Sequence, residues 1–556
     1  MPKMNEWERE LFLKQLDKLH GRFDQRENML KLPFSSPGYH TTLTGGEVHP
    51  TRQSLEYAVA LYDAEIPELE KRAAAVLDKI LSLQDTDPES KTYGIWSWFL
   101  EEPLSMMSPP DWNWADFCGA MLLEILLDHG HKLPPELLSR VRTAVAHASR
   151  SIIRRNVGPE YTNIAIMGTF VTLTAGQALG NAEFTNYGKG RLRRFYDHTM
   201  QHDGFTEYNS PTYTLVAIRE LGRILTYVQD PEDLQLVEEL YFYAWRHLAR
   251  HFHAPTWQWA GPHSRAYTTL TGKGFISFLQ RATGIGFLDP KELDLSVADL
   301  RLQLPCPEEL IPYFTSLQEE LVVEHYAHSL VATTYHREEY SLGTINHGEM
   351  WNQRRNLLVY WGDKNNPRYL HLRFLHDGYD YSSALFFGQQ NRNRVLGGIC
   401  FATDLGDTHI GLDRLKDGTI RAQDLRLRFE FGGAIQNLQL PERVEVLKTV
   451  AIEDGPFRIS LKIQEACFGE ELVTCETGTQ DQKKYLDVVL YHGEEKSINF
   501  NALSAAYITF ALAVGEAEPE ISGGEGQWAW PGAGLTLRLR TKPATAREVR
   551  RWVLEG

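Results

Sequence analysis

The sequence predicts an α+β multidomain chain: an N-terminal (α/α) toroid over residues 1–310, an incomplete α/α barrel, followed by an antiparallel β-sandwich domain over 311–556. Three observations carry this. Helical periodicity runs through the first half with short interruptions. Beyond residue 320 the period falls to two, with turn residues between segments and no crossover helices, which makes the strands antiparallel. At 556 residues the chain also exceeds the size that a single core serves.

Apolar residues recur at three- and four-residue spacing over 6–19, 54–62, 66–84, 111–129, 134–154, 162–179, 183–199, 211–228, 231–251 and 272–283. The joints hold helix starters and breakers, such as Asn156-Val157-Gly158-Pro159 and Gln229-Asp230-Pro231-Glu232. Short joints between helices favour antiparallel pairs, so the helices are expected as hairpins set in a ring. Strands are expected at 322–326, 330–335, 356–361, 425–431, 443–447, 457–463, 485–490 and 535–540. The tail, 544–554, reads as a strand or a short helix.

Lys and Arg number 57 against 73 Asp and Glu, a net charge of −16, which argues against nucleic acid as a partner. No stretch approaches the roughly 18 to 20 apolar residues of a membrane span. Cys118, Cys306, Cys400, Cys467 and Cys475 are odd in number and scattered, so a disulfide framework is not expected. A charged helix at the N-terminus, without the layout of a signal peptide, gives a cytoplasmic location as the expectation, with a secreted chain trimmed of its leader as the alternative. No nucleotide, nucleophile-elbow or His-Glu-x-x-His motif is present, and the reading assigns no cofactor and no metal. His251, His253 and His263 offer a weak metal alternative.

Five segments hold more functional groups than packing requires. Trp96, Trp98, Trp112 and Trp114 lie in loops between helices, beside Asp111, Asn113 and Asp116, where indole faces suit sugar rings. Asn163 opens an otherwise apolar helix, as a cap or as an amide for a ligand carboxylate. Glu207, Tyr208, Asn209 and Tyr213 crowd a helix entrance that starts with Pro211. Trp259, His263 and Arg265 share a Gly/Pro-rich loop. In the β half, His347, Trp351, Arg354 and Arg355 stand between two strands. Core packing and capping are the competing readings for each.

A helical toroid followed by an antiparallel β domain resembles the toroid-plus-sheet polysaccharide lyases: the heparinase II/III-like, alginate and chondroitin/hyaluronate lyases. The local resemblance is confined to the segments of Asn163, Tyr208/Tyr213, His263/Arg265 and His347. It implies β-elimination from an acidic oligosaccharide or polysaccharide. In that chemistry Asn163 and Arg265 neutralise the uronate carboxylate. Tyr213 or His263, with Tyr208 a third option, takes the C5 proton, and His347 protonates the leaving oxygen. Substrate contacts then fall to Trp96, Trp98, Trp112, Trp114, Asn209, Trp259, Trp351, Arg354 and Arg355.

Two rivals remain at this stage. A glycoside hydrolase would use Glu207 as acid with Asp111, Asp116 or Asp203 as base. A non-catalytic glycan-binding protein would bind without turnover.

Overall fold

A computed structural model describes residues 4–36, 40–406, 415 and 417–555. The chain divides into two compact units that are not continuous in sequence. One comprises Met1–Gln201, Leu215–Trp245 and Gly272–Pro307; the other comprises His202–Thr214, Arg246–Thr271 and Glu308–Gly556.

The first unit is helical. It opens with α1 (Glu6–His20), and its hairpins are α2 (Thr51–Asp63) with α3 (Pro67–Ser82), α4 (Trp114–His129) with α5 (Pro135–Arg155), and α6 (Thr162–Leu179) with α7 (Ala182–Gln201). Within it, α2 packs on α4 and α4 on α6, while α3, α5 and α7 each cover their partner. This is the double layer of an (α/α) toroid. Composition explains which helix goes where. Residues Thr162 to Gly176 of α6 are buried on every side, whereas α5 buries one stripe led by Val141, Val145, Ala148 and Ile152. Helices α8 (Tyr213–Tyr227), α9 (Pro231–His251) and α10 (Lys273–Thr283) follow.

Pro in the first turn begins α3 and α5. Left-handed Asn156 and Gly180 end α5 and α6. Glycines permit close contact between layers: a Cβ on Gly188 of α7 would lie 2.7 Å from the Leu173 backbone nitrogen. Charge is buried here as well. Arg301 is enclosed by Asp63, Asp128 and Glu124, and His129 Nε2 meets Asp63 Oδ1 at 2.7 Å.

The second unit is built on antiparallel sheets. Among the described residues the largest has nine strands: eight run in space from Thr474–Gln480 through Lys483–Asn499, Thr419–Gly433, Pro367–His376, Leu357–Gly362, Tyr340–Ile345 and Leu330–His336 to Leu321–Tyr326, and Tyr379–Asp380 pairs with Pro367–His376 beside them. The unit also holds a six-stranded sheet, a three-stranded sheet and the two-stranded ladder of Phe252–His253 with Gln258–Trp259. Period-two alternation sorts the layers. Along Ala384–Asn391, Ala384 and Phe386 join the core shared with the large sheet. Leu385 and Phe387 face the second core, with Trp528, Trp530, Leu537 and Val549.

The helical half and the antiparallel β half thus occur in the expected order, which is the order the lyase resemblance implies. The segment 443–447 is not a strand: Leu447 sits at φ +73 in a turn, and the strand starts at Thr449. The tail settles as a helix, Ala546–Glu555. Among the described residues, no helix is long and apolar enough to cross a membrane.

Candidate functional site

Three segments distant in sequence are tied together in the second unit. Ser210 Oγ accepts the N–H of Tyr213 at 2.9 Å and donates to the Arg265 carbonyl at 2.7 Å. It therefore joins the start of α8 to the loop after α9. His263 and Arg355 exchange backbone hydrogen bonds of 3.0 Å, and Ala266 N–H reaches the Gln353 carbonyl at 2.7 Å. These bonds fix the backbones that carry Glu207, Tyr213, Arg265, Tyr267, Trp351 and Gln353.

Arg265 is the centre of the resulting cluster. Its Nη1 donates to Glu207 Oε1 at 3.1 Å, its Nε donates to Gln353 Oε1 at 2.9 Å, and its Nη2 lies 3.5 Å from the Tyr267 hydroxyl. The guanidinium lies over the Tyr213 ring at 4.3 Å and over the Trp351 ring at 5.2 Å. The Tyr213 and Tyr267 hydroxyls are 2.8 Å apart. Burial works against the charge on Arg265, but Tyr213, Glu207 and Tyr267 more than offset it, so the guanidinium stays protonated. Burial also pushes the Tyr213 hydroxyl above its ordinary range; Arg265 pulls it back in part, and the bond to Tyr267 adds to the rise. Tyr213 therefore carries its proton in the free site, while Tyr267 is 57% exposed.

Tyr208, His347 and Arg354 fall in a separate group. Tyr208 stacks on Tyr326 at 5.0 Å, and burial pushes its hydroxyl up to about 12. Arg354 and Glu349 form a 2.7 Å ion pair, and both act on Tyr208 and on His347. Burial holds His347 down to about 4, so it is neutral at neutral pH.

Asn209, Trp259, His263 and Arg355 are interior. Asn209 spends its side chain on the Ala260 and Pro262 carbonyls and the Trp259 indole. The His263 ring bonds to the Trp259 carbonyl at 3.0 Å, and burial, with Arg355 nearby, holds it down to about 3. Arg355 donates to the carbonyls of Asn352 and Arg354. These four brace the loops behind the Arg265 cluster.

The remaining candidates lie in the helical unit. Trp96 is core, bonded to the Ile80 carbonyl. Trp98 and Trp114 stack at 5.1 Å and are half-buried, and the Trp112 indole donates to the Lys91 carbonyl. Asn163 is buried, and its Oδ1 has no hydrogen-bond partner among the described residues. On the neighbouring helix, burial raises Asp116 to about 7, an effect that Arg191 and Arg155 only moderate.

Sequence reasoning gave no role to Tyr267 and Gln353. The available signal was spacing: Tyr267 is two residues from Arg265, and Gln353 two from Trp351. His251, His253 and His263 do not share one point. His253 bonds to Thr256 and to the Arg337 carbonyl, whereas His251 gathers with His247 and Glu324.

A family model described as a domain of unknown function, DUF8769, matches residues 9–278. No curated protein matches the sequence. Among solved structures, the chain is similar to a chondroitin AC lyase variant of Streptomyces coelicolor A3, at 11% identity and a TM-score of 0.45, over 96% of this chain and 85% of that one. It is also similar to the heparan sulfate lyase HepC of Pedobacter heparinus, at 10% identity and a TM-score of 0.31, over 97% and 90% of the two chains. The endoglucanase CelQ of Clostridium thermocellum in complex with cellotetraose follows, at 9% identity and a TM-score of 0.26, over 90% and 78%.

Proposed function

We propose that the chain is a glycan-active enzyme, a lyase that cleaves a uronate-containing oligosaccharide or polysaccharide by β-elimination. One observation carries this reading: two tyrosine hydroxyls 2.8 Å apart, with one ring under a guanidinium that also reaches the other hydroxyl. Elimination needs a group that takes a proton, a group that returns one, and a positive charge beside the developing enolate.

In this proposal Arg265, held in place by Glu207 and Gln353, supplies the charge. The Tyr267 oxygen, which shares a hydrogen bond with Tyr213 and lies 3.5 Å from Arg265 Nη2, acts in its deprotonated form. Tyr267 takes the C5 proton as the C4–O4 bond breaks and the C4=C5 double bond forms. Tyr213 gives its proton to O4 and is refilled from Tyr267 across their hydrogen bond, which restores both groups. No net proton is consumed. The Trp351 face packs against a sugar ring. In the helical unit, Trp98 and Trp114 offer stacking faces and Asn163 an amide for the same class of ligand.

A hydrolase would need a second carboxyl across the bond from Glu207, at roughly 6.5 to 9.5 Å for an inverting pair and about 5 to 5.5 Å for a retaining one. Glu207 is instead engaged as the counter-ion of Arg265, and it is the carboxylate that acts on both Arg265 and Tyr213.

Incubation with a panel of acidic glycans tests the proposal. A rise in ultraviolet absorbance from the new conjugated double bond supports it. Reducing-end release with solvent oxygen incorporated and no unsaturation refutes it.

A further inference from the structure

The loops that carry Glu207 with Tyr213 and Arg265 with Tyr267 meet at one buried residue. Asn209 sits at φ +38, fully buried. Its Nδ2 donates to the carbonyls of Ala260 at 2.8 Å and Pro262 at 2.9 Å, and its Oδ1 accepts from the Trp259 indole at 2.6 Å. Its backbone N–H donates to His247 Nε2 at 3.1 Å. A left-handed backbone at a non-glycine residue persists only when its surroundings hold it, and here the hold is Asn209's own side chain plus one imidazole.

That last bond fixes the imidazole's proton. A neutral histidine has one bare nitrogen and one N–H. The Asn209 N–H occupies the lone pair of Nε2, so the proton lies on Nδ1. That atom faces Glu324 Oε1 at 3.2 Å. Glu324 is further held by the Tyr326 hydroxyl and by Arg250 at 3.4 Å, and Arg250 is paired with Glu319. His251 completes the surroundings, its ring 4.6 Å from that of His247 and its Nε2 3.3 Å from Glu324 Oε2.

We infer that His247 is a positioning residue for the Arg265 cluster, acting through Asn209 and only as the neutral Nδ1–H tautomer. A second proton, on Nε2, sets N–H against N–H at Asn209 and frees the turn that spaces the two loops. The donor atoms of His247, His251 and Glu324 do lie within 4.8 Å of one another, a spacing that suits a cation. A cation on Nδ1, however, would displace the proton to Nε2 and break the same Asn209 bond. The two arrangements compete for one nitrogen, and the hydrogen bonds of the structure belong to the first.

The inference rests on the proposed site, so its test has one arm that needs no substrate. In the full-length protein, amide exchange over 207–213 and 259–267 is compared at one neutral pH in wild type, His247→Gln and His247→Leu. The Gln side-chain oxygen can accept the Asn209 N–H; Leu offers no acceptor. Protection of both loops is expected to be kept in His247→Gln and lost in His247→Leu. On an acidic glycan, kcat of His247→Leu should fall about 100-fold while KM stays level, the cost of roughly ångström-scale misplacement, and His247→Gln should restore it. Loss of protection in His247→Leu without turnover of any glycan supports the inference and sinks the lyase reading alone. Equal protection in wild type and His247→Leu overturns the inference. So does a zinc-dependent rise in melting temperature that His247→Gln abolishes.

Discussion

The Arg265 guanidinium lies 4.3 Å from the centre of the Tyr213 ring, and the same group donates to Glu207 and to Gln353. A planar fork is needed to make all three contacts at once; an ammonium is a point charge and keeps one of them. Arg265→Lys is therefore expected to lower kcat/KM by roughly 10² to 10³, the usual cost of losing one preorganised electrostatic partner. The fold should survive, because the side chain is partly exposed. Steady-state kinetics beside a thermal melt check this, and wild-type kinetics in Arg265→Lys would remove Arg265 from the mechanism.

Tyr213 and Tyr267 share one hydrogen bond of 2.8 Å, so a proton relay through them fails as a unit. Tyr213→Phe and Tyr267→Phe should each cost roughly 10² or more in kcat, and the double variant should be no worse than the poorer single one. If the two losses multiply, the hydroxyls act separately and the relay is wrong.

Much of this architecture was legible in the sequence because it depends on period alone. The run Phe457-Arg458-Ile459-Ser460-Leu461 alternates as a strand and is one, and residues 134–154 carry a helical stripe that became α5. Period failed at 443–447, where a left-handed Leu447 turns the chain despite its alternating residues. The capture of His202–Thr214 and Arg246–Thr271 by the sheet-bearing unit was out of reach, since it is set by long-range bonds such as Ala266 to Gln353. The site was legible in composition and not in direction. Asn209 and His263 have the residue types of ligand-binding groups, but their polar atoms are turned inward to carbonyls and an indole. Glu207, Tyr213, Arg265 and Trp351 come from the same kind of polar loop, and the structure brings them together.

Gly343, on the strand Tyr340–Ile345, lets the sheet touch the loop that carries Arg265. A Cβ there would lie 2.4 Å from the Gly261 Cα and 2.9 Å from the Pro262 nitrogen, all backbone that no rotamer change can move. Gly261 is itself at φ +88 and closed in by Asn209 and Thr334. Gly343→Ala should destabilise the fold by about 1 to 3 kcal/mol, as overpacking does, and should reduce turnover further by shifting Arg265. Urea unfolding at neutral pH measures the first effect. An unchanged midpoint would mean that the loop gives way freely.

Acid should weaken the second unit through its buried histidines. Burial holds His251 and His253 down to about 4 and His263 to about 3. Each is bonded as a neutral ring: His251 to the His247 carbonyl, His253 to Thr256 and the Arg337 carbonyl, His263 to the Trp259 carbonyl. In the unfolded chain these rings titrate near 6.5. Between that value and about 4 the unfolded state binds more protons than the native one, so stability rises with pH across the window. The contribution is complete above about 6.5 and is lost as pH falls toward the native values, on the order of 3 kcal/mol per ring at the acid end. Urea midpoints taken from pH 7.5 to 4.5 should fall steadily below about 6.5 and lie flat above it, because the slope appears only where the two states differ in bound protons. A midpoint that stays level down to pH 4.5 would show that these rings accept a proton in the native fold, and the neutral hydrogen bonding of His251, His253 and His263 would fall with it.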